Sequence, residues 1–189
     1  MTGSIGQVET QFFTFGSHDD PFTLHCGATL PEVTLAYETY GELNAEASNA
    51  ILVFHALTGS QHAAGFNPVV PTVGDRWQEE IHVGWWDGFI GPGKPIDTDK
   101  YFVICANYLG GCYGSTGPAS INPDTGRPYG SSFPPVCFAD MVDSQMKLLE
   151  HLGIDKLHAV AAGSTGGVMA ISLATRYPDK VDVVIPFAS

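Results

Sequence analysis

The residues with the clearest capacity for chemistry lie at positions 162–167, where the sequence reads Ala-Gly-Ser-Thr-Gly-Gly. A continuous apolar run, predicted to be a buried strand, leads into this segment, and a stretch with helical spacing follows it. The small residues around Ser164 permit a turn of the backbone that larger side chains would block. Such a turn would hold the Ser164 hydroxyl over the edge of a sheet, at the start of a helix, where it could act as a nucleophile.

The pattern is typical of the nucleophile elbow Gly-x-Ser-x-Gly of α/β-hydrolases, with Ala162 in place of the first glycine. In that geometry the backbone amide of Thr165 points at an oxyanion that develops on the substrate. A simpler interpretation is a Ser-Gly turn in which Ser164 only caps the helix. We favour the nucleophile because a strand, small residues and a helix coincide in the order that an elbow requires.

A second oxyanion donor is expected in the loop that follows an earlier strand. The apolar run at 51–55 leads into Ala-Leu-Thr-Gly, so the backbone amide of Leu57 is the predicted donor. His55 could be considered as a general base. Because it ends an apolar strand, the sequence favours a structural histidine there instead.

The order of catalytic groups limits what this chain can do alone. In the elbow fold they follow one another as serine, acid and histidine. Residues 165–189 contain no histidine, and their only acids, Asp179 and Asp182, lie next to the end of a predicted helix. We therefore expect an incomplete, inactive fragment, either the N-terminal portion of a longer enzyme or one of two chains that assemble.

The elements around the elbow alternate between apolar runs and segments of helical spacing. Strands are predicted at 33–40, 51–55, 101–105, 157–162 and 183–187. Helices are predicted at 138–152 and 166–176. This order indicates an α/β protein with a mainly parallel sheet, an α/β-hydrolase fold truncated after the strand that follows the nucleophile helix. We expect that last strand to expose an apolar edge.

The chain is predicted to hold one domain with a lead-in. Residues 1–20 are polar and glycine-containing and are expected to be loosely ordered, whereas residues 21–189 are expected to form the N-terminal part of the hydrolase domain. The stretch 59–100 lacks the alternating rhythm. Its three tryptophans predict a long but ordered loop, because long loops in compact domains are either functional or disordered.

Composition excludes several classes of function. The 189 residues carry a formal net charge of −12, which argues against a nucleic-acid binder and against electrostatic binding to a membrane. No apolar run approaches the ~18 residues of a membrane span. Residues 1–9 lack the features of a secretory signal, and the four cysteines form no CxxC pair. These features predict a cytoplasmic protein with reduced thiols.

Three other motifs have structural interpretations. The glycine-rich run 110–117 lacks the lysine of a phosphate-binding loop and predicts a turn. The acids Asp97 and Asp99 fit no standard metal-ligand spacing, even with His82 and Asp87, so no metal site is expected. The Trp-Trp pair at 85–86 indicates packing within the loop rather than a ligand platform.

From Phe22 to Ser189 the sequence resembles the homoserine O-acetyltransferase family, an acyltransferase branch of the α/β-hydrolases. The resemblance is carried by the segments LAYETYGELNAEASNAILVFHALTGSQHAAG, GWWDGFIGPGKPIDTDKYFVICANYLGGCYGSTGP, SINPDTGRPYG and AAGSTGGVMA. Thr165 stands where the family mostly has Met or Leu, and Ala162 stands where it mostly has Gly. The change at Thr165 matters little, because that residue would act through its backbone amide.

The resemblance implies ping-pong acyl transfer in methionine synthesis. Ser164 would take an acetyl group from acetyl-CoA, a substrate rather than a permanently bound cofactor, and pass it to the side-chain hydroxyl of L-homoserine. In that family the catalytic acid, the histidine and most of the lid lie in a C-terminal part. The lid shapes the contact between two subunits, so the parent protein is expected to be a homodimer. A succinyl donor, a serine acceptor and a simple esterase remain alternatives.

Overall fold

Twelve strands and two α-helices lie within residues 3–189, the part of the chain that this computed structural model describes. In chain order the strands are β1 (Gln11–Phe15), β2 (Phe22–Thr23), β3 (Thr29–Leu30), β4 (Val33–Tyr40), β5 (Ala50–Phe54), β6 (Ile90–Gly91), β7 (Ile96–Asp97), β8 (Phe102–Ala106), β9 (Ile121–Asn122), β10 (Arg127–Pro128), β11 (Leu157–Gly163) and β12 (Val181–Phe187). The helices are α1 (Phe138–His151) and α2 (Thr165–Arg176).

Six strands form the central sheet, in the order β1-β4-β8-β5-β11-β12. Strands β8, β5, β11 and β12 run parallel to one another, whereas β4 pairs antiparallel with β8 and β1 pairs antiparallel with β4. The prediction of an α/β fold with a mainly parallel sheet is confirmed. The predicted strands of this sheet and both helices lie within two residues of their observed bounds.

The parallel strands are covered on both faces, which explains why their sequences are continuously apolar. Leu52 and Phe54 of β5 pack into one cluster with residues of α1 and α2. Ile51 and Val53, which point to the opposite face, pack into a second cluster beneath the loop 59–100. The sheet therefore has helices on one side and an ordered loop on the other.

The long loop 59–100 is ordered, as its tryptophans predict. It contains short 3₁₀-helices at Gly74–Arg76 and Glu79–Ile81 and the parallel pair of β6 with β7. The Trp77 indole donates a hydrogen bond to the Asn67 carbonyl at 2.9 Å. Hydrogen bonds of this kind offset the cost of burying a polar indole group.

Residues 11–15 differ from the loosely ordered lead-in that the sequence predicts for residues 1–20. They form β1, which pairs antiparallel with β4 and places Phe13 and Phe15 against the core. Burial of these aromatic rings stabilises the strand, and its pairing partner lies too far along the chain for a local pattern to reveal it. Residues 1–2 of the predicted lead-in lie outside the described residues.

Strand β12 forms one edge of the sheet and leaves apolar side chains exposed, as predicted. Val183, Ile185 and Phe187 are 44%, 49% and 42% exposed. An unpaired apolar edge of this kind favours pairing with further chain. Among the described residues, the helices are all too short or too polar to span a membrane.

Candidate active site

Ser164 occupies a sharp turn between β11 and α2. Its backbone angles are φ 55° and ψ −129°, a conformation that non-glycine residues rarely adopt. Its amide donates to the Phe187 carbonyl at 3.1 Å, and its own carbonyl accepts from the Gly167 amide at 2.9 Å. The predicted strand-to-helix turn with a strained backbone is therefore confirmed, and the exposed Ser164 side chain remains predicted as the nucleophile.

The glycines beside Ser164 are required by close packing. A Cβ atom at Gly166 would lie 2.5 Å from the Phe54 carbonyl oxygen and 2.8 Å from that of His55. A Cβ atom at Gly163 would lie 2.6 Å from the Phe187 ring. The first turn of α2 thus rests directly on the end of β5, and this contact brings the elbow to the loop that contains Leu57.

The register of the sheet brings the two predicted oxyanion donors to the same edge. Strands β5 and β11 are parallel neighbours with Phe54 opposite Ala162, so Leu57 and Thr165 follow the same end of adjacent strands. Within residues 3–189, neither the Leu57 nor the Thr165 amide donates a hydrogen bond to a protein acceptor. Both amides remain available, and their role in an oxyanion hole stays a prediction.

A cavity of about 530 Å³ opens beside the loop that follows β5. It lies between the loops that follow β5 and β8, and Leu57, which is 78% exposed, forms part of its wall together with Tyr108 and Met141. The cavity thus lies next to Leu57, one of the two predicted oxyanion donors, whereas Ser164 and Thr165 do not line it.

His55 is enclosed at the end of β5. It is 2% exposed, its ring stacks on Tyr108 with centroids 3.7 Å apart, and its Nδ1 lies 2.7 Å from the Ala56 carbonyl oxygen. Burial lowers the pKa of His55 to about 4, so the ring is neutral at pH 7. Burial and stacking agree with a structural histidine, but within the described residues Nε2 of His55 has no hydrogen-bond partner, so its structural role stays a prediction.

Sequence reasoning missed a buried polar network next to the turn Ala56–Gly59, which follows β5. Glu38 on β4 is fully buried, accepts hydrogen bonds from three groups and lies within hydrogen-bond distance of a fourth. Thr10 Oγ1 and Asn67 Nδ2 donate to its Oε1 at 2.8 and 2.9 Å. Tyr40 Oη donates to its Oε2 at 2.8 Å, and His62 Nδ1 lies 2.8 Å from the same oxygen. A glutamate at an inward position of an alternating strand was the available signal.

This network holds the chain that follows the turn. The Tyr40 hydroxyl accepts from the amides of Ala63 and Ala64 at 2.8 and 3.2 Å. The Ser60 carbonyl accepts from the Trp85 indole at 3.0 Å. His62 is 1% exposed, and both of its ring nitrogens lie within hydrogen-bond distance of protein acceptors in this network.

The remaining predicted motifs are structural within the described residues. The Asp97 carboxylate accepts from the amides of Gly93 and Asp99 at 2.8 and 3.2 Å, as a turn carboxylate does. The Trp86 ring stacks on Phe187 with centroids 5.4 Å apart and contacts Trp85 at 4.9 Å. The Trp pair therefore joins the loop 59–100 to β12.

The chain is similar to curated homoserine acyltransferases. The chain is 52% identical over 186 residues to the homoserine O-acetyltransferase of Solidesulfovibrio magneticus, covering 98% of this chain and 45% of that protein. It is also 52% identical over 185 residues to the homoserine O-succinyltransferase of Alkalilimnicola ehrlichii, covering 98% and 45%. The chain thus spans less than half the length of these relatives.

Solved structures and a family model agree on the fold. The homoserine O-acetyltransferase from Bacillus anthracis superposes with a TM-score of 0.81 at 40% identity, over 95% of this chain and 46% of that chain. Esterase E22 superposes with a TM-score of 0.80 at 41% identity, over 95% and 48%. The family model for the alpha/beta hydrolase fold matches residues 49–185. The chain belongs to the α/β-hydrolase fold family, and its resemblance to homoserine O-acetyltransferases is confirmed.

Proposed function

We propose that the whole protein containing this chain transfers an acetyl group from acetyl-CoA to the hydroxyl of L-homoserine, with Ser164 as the nucleophile. The observation that carries this proposal is an exposed serine at a strained strand-to-helix turn, in a chain about half identical to enzymes named homoserine O-acetyltransferase. The reaction would serve methionine synthesis.

In the first half-reaction the Ser164 oxygen attacks the thioester carbonyl of acetyl-CoA. The hydroxyl proton passes to a general base while the carbonyl oxygen becomes an oxyanion. The amides of Leu57 and Thr165 donate hydrogen bonds to that oxyanion, a contribution typically worth about 10²–10³ in rate for each donor. The carbon–sulfur bond then breaks, CoA leaves with the proton, and the acetyl group remains on Ser164.

In the second half-reaction the homoserine hydroxyl attacks the acetyl-serine carbonyl. The same base removes the hydroxyl proton, and the same two amides stabilise the second oxyanion. The ester bond to Ser164 breaks, its oxygen recovers a proton, and O-acetylhomoserine leaves. We propose that the acid and the histidine of the triad come from the region that corresponds to the remaining length of the relatives.

The donor and the acceptor are the parts of this proposal that relatives leave open. A homoserine O-succinyltransferase is as similar to the chain as the acetyltransferases, which favours succinyl-CoA as the second candidate donor. Esterase E22 superposes as closely as the acetyltransferase structure, so water is a second candidate acceptor. Both alternatives keep Ser164 as the nucleophile.

Release of CoA thiol distinguishes these candidates. The whole protein is assayed with acetyl-CoA or succinyl-CoA, in the presence of homoserine, serine or no acceptor. The proposal expects fast release only with acetyl-CoA and homoserine together. Fast release with succinyl-CoA, with serine or with no acceptor would replace it by the corresponding alternative. Residues 1–189 alone are expected to be inactive, because general-base assistance is worth about 10²–10⁴ in rate.

The proposal has consequences for assembly and location. We propose a homodimeric cytoplasmic enzyme with no permanently bound cofactor, and with small molecules rather than nucleic acid as partners. The net charge of −12 supports the exclusion of nucleic acid. Sedimentation of the whole protein tests the dimer, and activity of protein dialysed against a chelator tests the absence of a metal requirement.

A further inference from the structure

We propose that Glu38 and His62 form a buried carboxylate–imidazolium pair that positions the turn Ala56–Gly59. The catalytic part of this inference rests on the proposed function, since the Leu57 amide of that turn is the predicted oxyanion donor. Neither side chain contacts the reacting atoms. Both are positioning residues, and their effect would reach the site through the backbone that follows the turn.

The hydrogen bonds around Glu38 indicate a charged carboxylate. All four contacts are made by groups that can donate, two to each oxygen. Burial raises the pKa of Glu38, but hydrogen bonds from His62, Asn67 and Thr10 and the charge of His62 outweigh burial and leave that pKa below its ordinary value. A protonated Glu38 would have to donate a hydrogen bond in one of these four contacts, where the partner group can already supply the proton.

The surroundings of His62 then require protons on both ring nitrogens. Nδ1 faces the Glu38 carboxylate at 2.8 Å, and Nε2 faces the His82 carbonyl oxygen at 2.9 Å. Both of these groups accept hydrogen bonds only, so a neutral ring would leave one nitrogen facing an acceptor without a proton. A buried imidazolium paired with a carboxylate satisfies every one of these groups.

Within residues 3–189, the other hydrogen-bond partners of this pair are the uncharged groups of Thr10, Tyr40 and Asn67 and the His82 carbonyl. Burial, and then the charge of Glu38, raise the pKa values of the Tyr40 hydroxyl on β4 and the Cys105 thiol on β8 well above their ordinary values, so both stay neutral. The Trp77 ring, from the loop 59–100, meets the His62 ring edge-on with centroids 5.8 Å apart. Tyr40, Cys105 and Trp77, which pack around the pair, are thus neutral.

The pair is joined to the turn by a short stretch of chain. The His62 amide donates to Ser60 Oγ at 3.2 Å, and the turn itself closes with the Gly59 amide donating to the Ala56 carbonyl at 2.9 Å. Leu57 is 78% exposed, so its own side chain contributes little to fixing its amide. The direction of that amide is set by the anchored residues on either side, which makes the pair a support for the oxyanion hole.

Nitrogen NMR of ¹⁵N-histidine in the whole protein tests the charge state directly. At pH 7.5 we expect both His62 nitrogens to carry protons in the wild type. In Glu38→Gln we expect only Nε2 to carry one. The buried His55 is the matched control, and it should show a neutral ring with its proton on Nδ1 in both proteins. An unprotonated nitrogen on His62 of the wild type would overturn the pair, and this outcome requires no variant to fold.

Kinetics and the Leu57 amide resonance test the positioning role. For Glu38→Gln and the milder His62→Gln we expect kcat to fall about tenfold to 100-fold with KM for acetyl-CoA unchanged, and the Leu57 resonance to shift. Asp143→Asn, which disturbs an ion pair with Arg176 elsewhere, should change neither. An unmoved Leu57 resonance and an unchanged kcat would overturn positioning. A wild type without acyl transfer would refute the proposed function alone, because the nitrogen resonances of His62 would still show whether the Glu38–His62 pair is charged.

Discussion

Two neighbouring parallel strands reach the same site and end in opposite ways. Strand β11 ends in one exposed residue, Ser164, whose φ of 55° is unfavourable for any side chain. Strand β5 ends in a turn between two enclosed histidines, His55 and His62, which are 2% and 1% exposed. The predicted nucleophile is thus on the strained, open end of β11, and the buried polar contacts are at the end of β5.

This difference assigns activity mainly to the end of β11 and stability mainly to the end of β5. The strained backbone at Ser164 costs of order 1–3 kcal/mol and persists because packing around it allows no other path. Gly166 supplies that packing, since its backbone lies against the end of β5. Substitution of Ser164 should therefore remove activity and spare the fold. Substitutions at the end of β5 should weaken the fold, and activity should follow.

The largest effect is expected at the elbow. Ser164→Ala should lower acyl transfer by the whole protein at least about 10⁴-fold, while changing the free energy of unfolding by no more than about 0.5 kcal/mol. Ser164→Gly should be equally inactive and more stable by about 1 kcal/mol, because glycine adopts this backbone conformation without strain. Thiol release and chemical denaturation measure the two quantities. An active Ser164→Ala would remove the elbow from the chemistry.

The next effect is expected in the buried network. Glu38→Ala should lower the free energy of unfolding by about 3–5 kcal/mol, because it leaves His62 and three other donors buried without their acceptor. Asp143→Asn is the matched control, since Asp143 pairs with Arg176 in a partly exposed place and the loss there should be about 1 kcal/mol. Equal losses in the two variants would contradict the contrast drawn between buried and exposed pairs.

The third effect is a pH dependence caused by His55. Its pKa is about 4 in the folded chain, because of burial, and is near 6.5 when unfolded. As the pH falls from 6.5 to 4, the unfolded chain therefore binds a proton that the folded chain does not. His55 should make the protein less stable by about 3 kcal/mol across that window.

The variant His55→Phe isolates this dependence. A phenyl ring keeps the stacking on Tyr108 and cannot titrate. Denaturation midpoints measured from pH 7.5 to pH 4 should fall less steeply in the variant than in the wild type, with the two curves diverging below pH 6.5. Parallel curves would show that His55 binds a proton as readily in the folded chain as in the unfolded chain.

The smallest effect is expected where the two strand ends touch. Gly166→Ala should lower the free energy of unfolding by about 1–3 kcal/mol, because its Cβ atom would lie 2.5 Å from the Phe54 carbonyl oxygen. Gly153→Ala is the control. It places a side chain at a positive φ without a clash, since no atom lies within 4 Å of a Cβ atom at Gly153. Greater damage to acyl transfer from Gly166→Ala than from Gly153→Ala would sharpen the comparison, and equal activity in both would weaken it.

Local patterns explain how much could be predicted from the sequence. Continuous apolar runs identified β5, β8 and β11, and small residues identified the turn at Ser164, because these signals lie within a few neighbouring residues. Strand β1 was missed because it pairs with β4 across an intervening segment. The Glu38–His62 contact was missed for a related reason, since 24 residues separate its partners. The roles of Ser164, Leu57 and Thr165 stay predictions.

Mass spectrometry of the acetylated enzyme tests the central claim most directly. The whole protein is mixed with acetyl-CoA in the absence of an acceptor, digested, and compared with Ser164→Ala treated in the same way. We predict one acetyl group on the peptide that contains Ser164, lost when homoserine is added as O-acetylhomoserine appears, and absent from the variant. Formation of O-acetylhomoserine with no acetyl group on Ser164, or with the acetyl group on another residue, would contradict the account.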